Sequence, residues 1–64
     1  MKVYQQRVVE EKKELDEKIS KLIVFIDHSS SYLTMDDQDK ELLGKQLDAM
    51  RDYSKILGDR ISRF

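Results

Sequence analysis

The chain predicts an all-α fold, an antiparallel hairpin of two long helices that assembles into a homo-oligomeric helical bundle. Three observations lead there. Among 64 residues there is no proline and only two glycines, so little interrupts a helix. Two long stretches repeat apolar residues every three or four positions. One short run of small polar residues separates them. The expected elements are a helix over about 2–27, a loop over about 28–34 and a helix over about 35–63, within one hairpin domain spanning 1–64.

The first helix rests on Tyr4, Val8, Leu15, Ile19, Leu22 and Ile26, a heptad-like series with one slot filled by Glu11 or Lys12. Asp27-His28-Ser29-Ser30-Ser31-Tyr32-Leu33 then breaks the pattern, because Ser and Asp side chains compete for local backbone hydrogen bonds. Thr34 is expected to cap the second helix, with Asp37 three residues on and Asp36 and Asp39 facing its positive end. That helix has a regular seam: Leu43, Leu47, Met50, Ser54, Leu57, Ile61 and Phe64, alternating steps of four and three. Beside it runs a second stripe of Leu42, Gln46, Ala49, Tyr53 and Ile56, continued by Arg60 and Arg63. A loop of about seven residues folds the helices back on each other. One seam then closes the hairpin and the other stripe is left for another chain.

Composition narrows the function classes. A compact chain of this mass buries only about 60% of its unfolded surface, so oligomerisation is the expected supplement. With no cysteine, disulfides, thiolate zinc sites and cysteine nucleophiles are excluded. The longest apolar run, Leu22 to Ile26, is too short to span a bilayer, and Met1 to Gln6 lacks a signal-peptide core. A cytoplasmic protein without membrane contact is expected. Net charge is −1, so no bulk field draws the chain to a nucleic-acid polymer. Residues 33–50 are acidic and residues 51–64 basic, as the helix dipole favours.

No catalytic constellation stands out. His28 lies alone in the serine-rich turn, and Asp36, Asp37, Asp39 and Glu41 lack the glycine and ligand spacing of a calcium loop. No enzyme activity, metal or cofactor is expected. Closing the hairpin on paper about residue 31 brings residue i near 62 − i. That gathers Lys2, Arg7, Lys55, Arg60 and Arg63 at the open end with Tyr4, Tyr53 and Phe64, offset by Glu10, Glu11 and Asp59. Guanidinium groups fork onto phosphate oxygens and aromatic faces stack on bases, which suits a small nucleotide. A basic rim snorkelling around an apolar seam explains the same residues. Gly44 and Gly58 fall near one stripe, either tolerated on a solvated face or permitting close approach.

Two motifs carry a family resemblance: Tyr4-Gln5-Gln6-Arg7-Val8-Val9-Glu10-Glu11 at the start, and Tyr53, Ile56-Leu57 and Arg60-Ile61 near the end. With the leucines between them, they resemble the helical hairpin domain of phage anti-CBASS and anti-Thoeris sponge proteins, over nearly the whole chain. The resemblance implies a homo-oligomer, typically a hexamer, in the host-cell cytoplasm. It implies binding of cyclic oligonucleotide second messengers, cyclic dinucleotides or cyclic trinucleotides, withheld from host effectors without degradation. The chain is almost nothing but the hairpin, without the separate domain of the larger anti-Thoeris members. The candidate ligand-binding residues are Tyr4, stacking on a base; Arg7, meeting phosphate; Arg60 and Arg63, lining an axial pocket; and Lys18. Lys18 stands about 21 Å along the helix from Tyr4, so both touch one ligand only across subunits. The other readings are a ligand-free coiled-coil adaptor, separated by thermal shift with cyclic nucleotides, and an RNA-binding hairpin dimer, separated by salt dependence.

Overall fold

The computed structural model describes all residues, 1–64, and is all-helical. Helix α1 spans Val3–His28, a single helical turn α2 spans Ser30–Leu33, and α3 spans Asp37–Ile61. α1 and α3 fold back against each other as a hairpin, 46 × 16 × 13 Å overall. Neither helix is long and apolar enough to cross a membrane.

Helix α1 starts with the Gln5 side chain accepting from the Lys2 backbone N–H at 2.9 Å, and ends where Ser29 turns extended. Ser29 then caps α2, its hydroxyl accepting from the Ser31 N–H at 3.2 Å. The connection is therefore not a plain loop over 28–34 but runs from Ser29 to Asp36 with a helical turn inside it. Thr34 does not cap the second long helix. Its hydroxyl donates to the Ser31 carbonyl at 3.0 Å, closing α2, and Asp36 in extended backbone accepts from the Gln38 N–H at 3.2 Å instead. Asp37 and Asp39 lie in the first turn of α3 and Arg60 in its last, in the order the dipole favours.

The core follows the expected seams. Val8, Leu15 and Leu57 are buried, with Ile19, Met50 and Ile61 packed against them. Ser54 is buried in the same seam, and Lys12 fills the polar slot of α1 opposite it, its Nζ donating to Ser54 Oγ at 3.1 Å and to Asp16 at 2.8 Å. Tyr4 leaves the seam and is exposed.

The register differs from the paper closure. Tyr4 meets Phe64, Lys12 and Asp16 meet Ser54, and Lys12 meets Gly58, so residue i contacts residue about 68 − i. Two causes add. α1 runs to His28 and α3 begins only at Asp37, which moves the turn's midpoint toward the C-terminus. Side chains on both helices lean toward their own N-termini, which in an antiparallel pair raises the contacting sum by about two residues. Tyr53 and Lys55 consequently leave the open end and sit level with Leu15 and Lys13.

Little is buried. The accessible surface is 5110 Å², against about 4300 Å² expected for a compact chain of this mass. The radius of gyration is 14.6 Å, against about 11 Å for a compact globule of this length. The second stripe of α3 accounts for part of the excess: Leu42 and Ile56 are each 56% exposed, Tyr53 is 44% exposed, and Gln46 and Ala49 are exposed with them.

Candidate ligand site at the open end

Tyr4 stands in the first turn of α1, and Phe64 closes the terminal turn that follows α3. Their rings meet edge to face, centroids 6.2 Å apart at 78°. This clasp ties the two chain ends while leaving Tyr4 about half exposed. The turn carrying Phe64 is held by backbone bonds from Arg63 N–H to the Arg60 carbonyl and from Phe64 N–H to the Ile61 carbonyl, both 3.1 Å, and by the Ser62 hydroxyl on the Asp59 carbonyl at 2.7 Å.

Around this clasp the register places Arg7 level with Ile61 and Arg60 level with Val8, with Arg63 in the terminal turn. All three arginines are exposed, and none has a carboxylate within ion-pair distance, the two ion pairs of the chain being Lys12–Asp16 and Lys45–Glu41. Tyr4, Arg7, Arg60 and Arg63 are thus brought to one end of the hairpin. Lys18 is not: it is exposed at mid-helix, about 16 Å along α1 from Arg7 and level with Met50.

The flanks of the hairpin can be told apart. Lys12, Asp16, Ser54 and Gly58 contact one another on one flank, and Tyr4 meets Phe64 on the other. At 100° per residue, Arg7 and Lys18 on α1 fall on the Tyr4 side of their seam, and Tyr53, Ile56 and Arg60 on α3 fall on the same side. The α3 stripe from Leu42 to Arg63 carries no carboxylate of its own. Glu11 and Glu14 of α1 are the acidic side chains sharing that flank.

The opposite flank holds a concavity that the sequence reading did not single out. It is an open groove of about 640 Å³ along α1, lined by Val9, Lys13, Asp16, Ser20, Lys21 and neighbouring side chains, with Ile61 at its edge. Lys12 lines it too, but its ammonium is already committed to Asp16 and Ser54. Asp16 and Glu17 offset the lysines there, whereas the three arginines of the open end are not ion-paired. The polar triad itself could have been found: a serine at a seam position facing a lysine in the missing apolar slot signals a paired polar contact.

The hydrogen bonds from Lys12 and from Ser54 hold the Asp16 carboxyl below its ordinary 3.8. The causes are local to the triad, which is a structural contact between the helices.

The Sequestin family model matches residues 2–63. A relative described as an uncharacterized 7.5 kDa protein in the denB-rIIB intergenic region of Enterobacteria phage T4 is 39% identical over 64 residues, covering 100% of this chain and 98% of that protein. No solved structure matches the chain. A family match over nearly the whole hairpin and a phage relative of the same length agree with the phage sponge resemblance carried by Tyr4 to Glu11 and Tyr53 to Ile61: the chain belongs to the Sequestin family.

Proposed function

We propose that this protein is a sponge, a homo-oligomer in the host-cell cytoplasm that binds cyclic oligonucleotide second messengers and withholds them without turnover. The observation that carries the reading is the open end. There the Tyr4–Phe64 clasp presents an aromatic face beside Arg7, Arg60 and Arg63, none engaged by a carboxylate. Aromatic stacking is worth about 1 to 3 kcal/mol per base and is tolerant of base identity. Arginine forks match phosphate oxygens in pairs. A single end offers one ring and three guanidiniums, too little to enclose a cyclic dinucleotide or trinucleotide. Symmetry-related copies supply the rest, and Lys18 joins the ligand from a neighbouring subunit. The membership in a family named for sequestering supports the absence of a chemical step.

Native mass spectrometry with and without a panel of cyclic dinucleotides and trinucleotides tests this. Subunit number and bound ligand are read together, a hexamer being the assembly that the resemblance implies. The ligand released by heating should be chemically unchanged. Linear products accumulating with time, or no retained ligand from the panel, would overturn the reading.

A further inference from the structure

We infer that Phe64 is a positioning residue of the open end: the edge-to-face contact of its ring holds the Tyr4 ring ready to stack on a base. This rests on the sponge reading of the same site and adds to it the residue that orders the stacking surface.

Tyr4 needs such a support. It stands in the first turn of α1, where the leading N–H groups have no intrahelical partner. Lys2 precedes them with a side chain that only donates, and no acidic residue in that turn matches the positive helix end. The helix start is held by the Lys2 N–H on Gln5 Oε1 at 2.9 Å and by the Gln6 N–H on the Lys2 carbonyl at 3.1 Å. Terminal turns of this kind open at little cost in free energy. The Tyr4 side chain is about half exposed, and its aromatic partner is Phe64.

Phe64 is itself anchored. Its N–H donates to the Ile61 carbonyl at 3.1 Å, the Ser62 N–H donates to the Gly58 carbonyl at 3.0 Å, and Ile61 packs against the buried Val8, Leu15 and Leu57. Position thus passes from the core through Ile61 and the terminal turn to the Phe64 ring, and from that ring to Tyr4, 6.2 Å away at 78°. The closed end holds a second pair of the same geometry, Phe25 and Tyr32, 6.2 Å apart at 80°. There the Lys40 ammonium lies over the Tyr32 ring at 5.3 Å, and Tyr32 is half-buried. No cation of the chain lies over Tyr4, so its ring is held by an aromatic neighbour and yet left uncovered. A base that stacks on a ring already fixed by edge-to-face packing does not bear the entropy of ordering it. Arg60 and Arg63 are tied by the backbone bond from the Arg63 N–H to the Arg60 carbonyl, which confines the role of the Phe64 ring to Tyr4.

Calorimetric titration with cyclic dinucleotides and trinucleotides tests this. Phe64→Ala should weaken binding about three- to tenfold, the gain from one side chain ordered in advance. Phe64→Tyr, which keeps the ring, should restore affinity to within about twofold, whereas Phe64→Leu, which keeps apolar bulk without a ring, should not. In a Tyr4→Leu background, Phe64→Ala should change affinity by less than about twofold, because no ring remains to be held. A merely structural Phe64 would weaken binding equally in both backgrounds. Circular dichroism verifies that each variant is helical; if Phe64→Ala is not, the comparison of Phe64→Leu with Phe64→Tyr carries the test. Nuclear magnetic resonance of the ligand-free protein reads the positioning by itself: the Tyr4 ring should occupy one rotamer in the original protein and several in Phe64→Ala and Phe64→Leu. Unchanged affinity in Phe64→Ala, equal losses in both backgrounds, full rescue by Phe64→Leu, or a Tyr4 ring as ordered in Phe64→Ala as in the original would each overturn the positioning role and leave the sponge reading standing. An original protein with an ordered Tyr4 ring that retains no member of the panel would overturn the sponge reading, and the positioning role with it.

Discussion

The Ser54 hydroxyl donates to the Asp16 carboxylate across the hairpin while accepting from the Lys12 ammonium, so one buried serine joins both charges of a same-helix ion pair to the opposite helix. An apolar seam alone tolerates a shift by one heptad; a polar triad with one set of partners does not. Ser54→Ala should cost about 1 to 2 kcal/mol, because it removes two hydrogen bonds involving charged groups at a partly solvated site. Chemical denaturation read by helicity measures the loss.

The same triad sets a pH dependence. The Asp16 carboxyl titrates below 3.8 in the folded chain, so its contribution to stability is complete above that value and is lost as pH falls through the folded pKa. Asp16→Asn should therefore lower stability at neutral pH and narrow its gap to the original protein as pH drops from about 5 toward 2. Parallel acid titrations of the two proteins, followed by helicity, check this. A gap that stays constant or widens in acid would contradict it.

Gly44 and Gly58 lie on one face of α3 but in different surroundings. A Cβ at Gly44 would meet nothing within 4 Å, whereas at Gly58 it would stand 3.3 Å from Lys12 Cε. Gly44→Ala should raise stability by about 1 kcal/mol, the helix-propensity difference. Gly58→Ala should gain less, because the Lys12 stem that carries the Ser54 contact must give way. Melting of both variants against the original protein reads the difference.

Much of the fold was legible because two periodicities in α3 are independent. Leu43, Leu47, Met50, Ser54, Leu57 and Ile61 turn inward, and Leu42, Gln46, Ala49, Tyr53 and Ile56 stay exposed, as their spacing implies. The connection was legible only as a break. Whether Thr34 or Asp36 caps α3 depends on where the Thr34 hydroxyl is held, and the Ser31 carbonyl comes within its reach only once α2 forms. From that displacement the register shifted, carrying Tyr53 and Lys55 away from the open end. Tyr4, Arg7, Arg60 and Arg63 survived the shift because they lie near the chain ends, where any hairpin closure brings them together. The triad was missed because seam spacing marks Ser54 as a defect until Lys12 is seen facing it.

Leu57 and Ile56 are adjacent in sequence and opposite in role. Leu57 is fully buried, and Leu57→Ala should cost about 2 to 5 kcal/mol, enough to unfold a hairpin with so few buried side chains. Ile56 is exposed, so Ile56→Glu leaves the hairpin's own seam intact and acts on the assembly. If association supplies the missing burial, Ile56→Glu should dissociate the oligomer and lower helicity at micromolar concentration together. A concentration-independent melting transition in the original protein would contradict that coupling.

Arg60 and Arg63 distinguish a ligand site from a basic rim. Neither arginine is ion-paired within the chain, so Arg60→Ala and Arg63→Ala should leave the thermal stability of the ligand-free protein within about 0.5 kcal/mol. Any change should be a small gain where symmetry brings several open ends together, since like charges repel. A cyclic phosphate ligand converts that repulsion into charge-assisted hydrogen bonds worth roughly 1.5 to 3 kcal/mol each, so either substitution should weaken binding about ten- to hundredfold. An arginine that only snorkels over the seam predicts the reverse, with stability lost through its packed stem and affinity untouched. Calorimetric titration with cyclic dinucleotides and trinucleotides, run beside melting of the free variants, reads both quantities. Unchanged affinity in both variants, or a large loss of free-state stability, would return these arginines to a structural role.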